Sequence, residues 1–431
     1  MPIARPMVVA AAVASVLLTV GCGHAAGSTM SASTGGSALP GSGAVKPALP
    51  GAAVGGSAEG AGESASPSKS PKAASPSHTS SPSPSPSPSP AGTGEGALVV
   101  LAPRGHVEWG GTDPQVNWVG GFEAASGCKV NYLPFAYDPA VDQSETLDPD
   151  AFDVIAGPPD LAGRLVAEQR VAEIDTDRVE GYQDIPKRLR EAAGGHGVPY
   201  LWEKNVLLYD SSKVRPREAE AMYADAGPVF VRDTPLSIAD AALRQGVEHP
   251  FALTAEQLDA AVGLLEKEAE RVYWRDPLQV VTGFAAGSAR FGQGTPYLLD
   301  VLDRAGRPVR AVAEARVTGQ VDSWQVSAEA AHPECAYQWL SWVTSAEVQR
   351  KAVAWTGMAP ANAEVCEAAP KDVEPAVRER AERVCGLYGV GTSRAFKGVS
   401  FADYPAKDCP GRDGECTDYA QWVDRWKQLV D

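Results

Sequence analysis

Residues 152–175 read FDVIAGPPDLAGRLVAEQRVAEID. Phe152 to Ala156 is a short apolar run of strand length, closed by Gly157-Pro158-Pro159, and Leu161 to Glu168 then carries apolar residues at helical spacing. A strand passing directly into a helix is the repeating unit of an α/β layer. The same alternation extends upstream: Leu98 to Ala102 is a buried-strand candidate, Pro114 to Ala125 a helix with Val116, Val119 and Phe122 on one face, and Lys129 to Pro134 a second strand. Downstream, Val198 to Tyr209 reads as one long extended segment. Ser237 to Gly246 and Thr254 to Arg271 read as helices, the second with an apolar stripe at Leu258, Ala261, Leu264 and Leu265. Pro333 to Val343, Ser345 to Trp355 and Asp418 to Val430 complete the helical set, and Trp339, Trp342 and Trp355 at helical spacing are expected in the core. The pattern predicts two α/β lobes with mainly parallel sheets.

The N-terminal part has a different physics. Arg5 precedes an apolar run from Val8 to Leu18, and Thr19-Val20-Gly21-Cys22 follows. A short positive region, a short apolar core and a small-residue cleavage point form an export signal, and the run is shorter than the roughly 20 residues that span a bilayer. The last four residues resemble a lipobox, with Thr19 in place of its usual branched aliphatic residue. Residues 1–21 are therefore expected to be a lipoprotein signal, with Cys22 lipidated and holding the protein at the extracellular face of the membrane. Residues 22–96 are mostly Gly, Ala, Ser and Pro, ending in Ser-Pro repeats from Ser81 to Pro90. With little apolar mass to offset ordering entropy, they are expected to be a disordered tether.

The chain carries 38 Lys+Arg against 54 Asp+Glu; residues 1–96 hold four basic and three acidic residues, leaving 34 against 51 in the remainder. An acidic domain has no electrostatic footprint for nucleic acid, and suits a cationic or neutral solute. Six cysteines remain after Cys22. An even number in an exported domain points to disulfides, and fifteen pairings are open. Spacing favours Cys409 with Cys416 across a Pro-Gly turn and Cys366 with Cys385 around one segment, which leaves Cys128 with Cys335. Cysteine and histidine spacing for a metal is missing, as are a nucleophile elbow, HExxH, a P-loop and a Gly-rich dinucleotide turn. The expectation is no enzyme, no cofactor and no metal.

Five pieces in order carry a resemblance: GGFEAASGCKV (120–130), the stretch 152–175, HGVPYLWEKNVLLYDSSKVRP (196–216), DTPLSIADAAL (233–243) and VDSWQVSAEAAHPECAYQWLSWV (321–343), with CPGRDGECTDYAQWVDRW (409–426) at the end. Together they resemble the extracellular solute-binding proteins of the spermidine/putrescine type, in particular their actinobacterial branch. The resemblance covers nearly all of residues 97–431. It implies a two-lobed periplasmic-binding-protein-like fold with an interlobe ligand cleft and crossing hinge segments. Residues 97–205 would begin lobe I, 206–318 lobe II, 319–363 would return to lobe I, and 364–431 would lie mostly on lobe II. The implied function is a solute-binding subunit of an ABC importer, a monomer that closes on a small solute and presents it to the permease subunits.

The resemblance also implies where a ligand would be met. Polyamine binders of this type enclose an alkyl chain between aromatic rings and hold its amines with carboxylates. The first aromatic pair falls here on Pro103 and His106, the next carboxylate is Glu108, and two Trp positions fall near Thr295 and on Gln320. The amine-binding Asp is kept as Asp322. Asp233 and Asp276 stand at matched second-lobe positions. Each has a plainer reading: Asp322 as a cap, Glu108 and His106 as loop residues, Asp233 and Asp276 as turn residues. Arg104 beside His106 would instead attract an anion. Trp109, Tyr273 and Trp274 are candidate replacement rings, whereas Trp202 and Trp324 read as packing residues. With most of the aromatic box replaced, the ligand is a small polar or cationic solute, and the other reading is a surface interaction or sensory protein with a degenerate site. Replacing Cys22 with Ala is expected to release the protein from the membrane fraction; unchanged retention after carbonate washing would remove the lipid anchor.

Overall fold

The computed structural model describes residues 95–107, 117–135, 148–225, 227–266, 270–314, 316–412 and 414–430. The signal, Cys22, nearly all of the tether, Glu108 and Trp109 lie outside these residues. Along the chain, β1 (Ala97–Pro103), α1 (Val119–Ser126), β2 (Lys129–Phe135), β3 (Val154–Gly157), α2 (Pro159–Ala167) and α3 (Lys187–Ala193) come first. The chain then runs through β4 (Val198–Lys204) into β5 (Val206–Asp210). Next come α4 (Glu220–Ala224), β6 (Val229–Arg232), α5 (Ile238–Arg244), α6 (Ala255–Glu266), β7 (Arg271–Trp274), α7 (Pro277–Ala285), β8 (Phe291–Gly294), α8 (Pro296–Arg304) and β9 (Val309–Ala311). It returns by β10 (Val317–Val326) to α9 (Pro333–Thr344), α10 (Ala346–Thr356), β11 (Ala359–Pro360), α11 (Pro375–Tyr388) and β12 (Val399–Phe401), and ends in α12 (Tyr419–Val430).

These strands form two sheets. One has the order β11-β4-β10-β3-β1-β2 with β12 also on β10, and the other the order β7-β6-β8-β5-β9. The expected α/β class and two-sheet division are found, but the sheets are mixed. Strands β1, β2 and β3 are parallel, as are β6, β7 and β8, whereas β10 is antiparallel to β3 and β4, β4 also to β11, and β5 to β8 and β9. The physical reason is the crossing itself: β4 leaves the first sheet and β10 comes back into it, so the two run in opposite directions side by side. The extended segment expected over Val198 to Tyr209 is accordingly two strands of different sheets with Asn205 between them. Among the described residues α1 begins at Val119, not Pro114, and α6 ends at Glu266, with Arg271 opening a strand instead of closing a helix.

Each sheet has its own core. Trp202, Trp324 and Trp339 are fully buried in the first lobe, Trp202 donating its indole N–H to the Pro360 carbonyl at 2.9 Å and Trp324 standing edge-on to Tyr200 and Trp339. Rings of this size, at about 3–5 kcal/mol each on truncation to Ala, fix the helices on the sheet. Trp355, expected with them, is 46% exposed at the end of α10. The second lobe buries Trp422 and Trp426 of α12 against α5 and α6 residues. The C-terminal segment, expected mostly on lobe II, divides: α11 and Phe396 pack on the first core and β12 joins the first sheet, while α12 packs on the second core.

A buried polar junction holds the crossing. Asn205 N donates to the Thr318 carbonyl at 2.9 Å and its Nδ2 to Thr318 Oγ1 at 2.6 Å. Thr318 Oγ1 in turn donates to Asp240 Oδ1 of α5 at 2.6 Å, and Gln293 Nε2 of β8 to Asp240 Oδ2 at 2.9 Å. Next to it Arg244 pairs with Glu314 at 2.5 Å. Burial pushes the Glu314 carboxyl up to about 7, against the pull of Arg244 and with help from Asp240. A carboxyl raised in the fold contributes stability below its unfolded value of about 4.3 and loses it as pH rises through about 7. Urea unfolding should therefore show stability falling from pH 5 to pH 8, by on the order of 2 kcal/mol from this group. Glu314→Gln should flatten that part of the slope.

The cysteines pair as the spacing favoured: Cys128–Cys335, Cys366–Cys385 and Cys409–Cys416. The first, with a sequence separation of 207, ties the α1–β2 turn to the start of α9. By loop entropy it stabilises by roughly 5 kcal/mol, against roughly 2 for the separation of seven between Cys409 and Cys416. Replacing Cys128 and Cys335 together by Ala should thus lower the denaturation midpoint clearly more than the same change at Cys409 and Cys416.

Candidate functional site

The floor of the site is built from two paired strands. Gln320 of β10 stands opposite Glu203 of β4, and Asp322 follows two residues on. Strand side chains alternate, so Gln320 and Asp322 share a face, with Glu203 across from them. The register shifts between Asp322 and Ser323, a bulge immediately after the acid. His106 comes from the turn after β1. That turn is made by Gly105 at φ +95°, where an added Cβ would lie 3.3 Å from Thr356 Cγ2. Both the conformation and the space call for glycine.

His106 Nε2 lies 2.8 Å from Asp322 Oδ2. An ionised carboxylate only accepts, so the imidazole donates through this nitrogen. The two side chains are 6% and 7% exposed, and both His106 Nδ1 and Asp322 Oδ1 are buried without a hydrogen-bond partner. Each such atom forgoes about 1–3 kcal/mol of hydrogen bonding until a partner is supplied.

The second lobe reaches in with Arg232, the last residue of β6. Its Nη2 is 2.5 Å from Glu203 Oε1, its Nη1 donates to Gln320 Oε1 at 3.3 Å, and its guanidinium lies 5.0 Å from the ring centre of buried Trp274. Burial works against its charge, but Glu203 and then Asp322 outweigh that and hold its pKa above the usual arginine value. The backbone N–H of Arg232 is bonded to Gln293 Oε1 at 2.7 Å, which joins this residue to the buried junction at Asp240. Beside it, Tyr297 of α8 packs on Gly357 so closely that a Cβ there would sit 2.3 Å from the ring, and Asp300 of the same helix lies 3.7 Å from Arg383 of α11. The two lobes therefore meet across the cleft.

Of the residues expected from sequence, the fold brings His106, Gln320 and Asp322 together. Thr295 is buried at the start of α8, where its hydroxyl accepts from Leu298 N as the helix cap. Asp276 is exposed and caps α7 in a capping box with Gln279. Asp233 is turned away from the floor: Oδ1 accepts from Trp426 Nε1 at 2.8 Å and Oδ2 from Arg275 at 2.6 Å, a tie between β6, the β7–α7 turn and α12. The plainer readings of Asp233 and Asp276 as structural turn residues account for these contacts. Tyr273 packs edge-on against Trp426 in the second core, so of the replacement rings Trp274 alone among the described residues faces the charged cluster, under Arg232. Arg104 is exposed beside Tyr132.

Sequence reading missed Glu203, Arg232 and Tyr297. Glu203 did carry a signal, a buried-strand charge directly after the apolar VPYLW run of β4. Arg232 carried none, because its partners lie on the other sheet. Among the described residues no group of three His, Cys, Asp or Glu side chains converges as a metal site would require, and no helix is long and apolar enough to cross a membrane.

Residues 117–378 match the family model described as bacterial extracellular solute-binding protein. Solved structures share the fold. The spermidine/putrescine ABC transporter substrate-binding protein PotD from Streptococcus pneumoniae is 14% identical with a TM-score of 0.57, over 78% of this chain and 99% of that one. A structure described as a GABA receptor is 17% identical with a TM-score of 0.56, over 77% and 97%. The PotD lipoprotein of Treponema pallidum is 12% identical with a TM-score of 0.55, over 77% and 99%.

Proposed function

Since the chain belongs to the bacterial extracellular solute-binding proteins, which bind solutes for ABC transporters and are not enzymes, we propose that it holds a small polar or cationic solute between its two sheets, with Asp322 as the anion that receives it. The observation that carries this is that Asp322 Oδ1 and His106 Nδ1, the far atoms of two side chains bonded to each other through Oδ2 and Nε2, are both buried without a hydrogen-bond partner. A protonated amine or a hydroxyl supplies what Oδ1 lacks. Polyamine and GABA, named for two of the structural neighbours, both present a protonated amine. Gln320 lines the same floor, and Glu108 stays a candidate from the sequence. Closure of the lobes on the solute excludes water, which strengthens the charge pairing, and marks the loaded form for the permease subunits.

In this reading the protein is a monomer of the spermidine/putrescine type, actinobacterial branch, held through Cys22 at the extracellular face and carried outward by residues 22–96. Residues 97–205 and 319–363 would form lobe I, and 206–318 lobe II. The other reading, a surface interaction or sensory protein, draws on one observation: the second lobe's own Arg232 already fills part of the cleft.

A thermal-shift screen with amines, amino acids, sugars and organic anions tests the proposal. A ligand at 100 times its Kd adds about 2.7 kcal/mol, a resolvable shift. Asp322→Asn should weaken an amine ligand by at least ten-fold, because a buried ammonium loses its counter-charge. Unaltered affinity would move the site elsewhere, and no shift with any solute would favour the second reading.

A further inference from the structure

The physics that retains an amine in a protein cleft is a ring face under the cation and carboxylates at its edge. Here that arrangement is complete around a group of the protein itself. Arg232 crosses from the second sheet to the first, its guanidinium near the Trp274 ring and paired with Glu203, with Gln320 completing its bonds. Glu203, Gln320 and Asp322 are one surface, fixed by the β4–β10 register. Two carboxylates stand by one guanidinium; Glu203 is the one paired with it, and Asp322, with its Oδ1 buried and without a hydrogen-bond partner, is the one left to meet another cation.

We infer that Arg232 is a specificity-determining residue: a tethered cation that occupies one of two cation seats, so that the cleft accepts solutes with one ammonium group and rejects diamines. This rests on the reading of Asp322 as the solute's anchor, and adds the charge rule. A diamine brings a second cation to a floor already neutralised at Glu203, and would have to expel Arg232 from its ion pair and its ring. A solute with one ammonium leaves that pair intact. If the solute also carries a carboxylate, Arg232 is a cation at the floor able to meet it.

The first test uses the full chain and two probes of equal length, n-butylamine and putrescine, by calorimetry. The wild type should bind n-butylamine at least as tightly as putrescine; tighter putrescine overturns the inference. The second test uses Arg232→Met, which keeps an apolar stem against Trp274, and Arg232→Ala. Either variant should gain putrescine affinity by ten-fold or more over the wild type, and Arg232→Ala should be raised in melting temperature by methylguanidinium, which refills the seat, where the wild type is not. No gain in either variant overturns the inference even if the wild type binds no amine. Adding Asp322→Asn to Arg232→Met separates the two readings. Loss of the gained affinity supports both; retained affinity sinks Asp322 as anchor and leaves Arg232 as the occupant of a cation seat.

Discussion

One residue, Asn205, separates a strand of the first sheet from a strand of the second, and the rest of the molecule is arranged around that crossing. Lys204 ends β4 and Val206 begins β5. The return strand β10 lies beside β4, so the two connections are bonded to each other through Asn205 and Thr318. Thr318 is buried and Asn205 half-buried, and Asp240 from the second lobe accepts the Thr318 hydroxyl at the centre. Burial raises the Asp240 carboxyl despite that bond. An unsatisfied group there would cost more than most single contacts contribute, so the crossing has one good geometry.

That geometry places the site. Glu203 is two residues before Asn205, and Gln320 two residues after Thr318, so both stand close to the pivot and their relative positions are set by strand register. Asp322 is one further step out on the same face. Arg232 is tied to the same junction through Gln293, which accepts from its backbone N–H and donates to Asp240. Arg232 with Glu203, Tyr297 with Gly357 and Asp300 with Arg383 are contacts between the lobes that motion of one lobe against the other would change.

The sequence by itself determined the α/β class and the two lobes, because those depend on local periodicity and chain order; its cysteine spacing favoured one disulfide pairing out of fifteen, and the structure decided it. The sequence also brought His106, Gln320 and Asp322 forward through the resemblance, and the fold places them in one cluster. Only the tertiary structure decided the rest. A continuous extended run over Val198 to Tyr209 looks the same whether it stays in one sheet or crosses between two. Asp233 and Asp276 are both acids near strand ends, and only their partners, Trp426 with Arg275 and the first turn of α7, mark them as structural. Trp355 follows the helical spacing of its buried neighbours but falls on the last turn of α10, where the core has ended. Arg232 is the clearest case. Its meaning comes from Glu203 and Gln320, which lie 29 and 88 residues away on the other sheet, and pairing between charges so distant in the chain is set by how two sheets face each other, which no local pattern encodes.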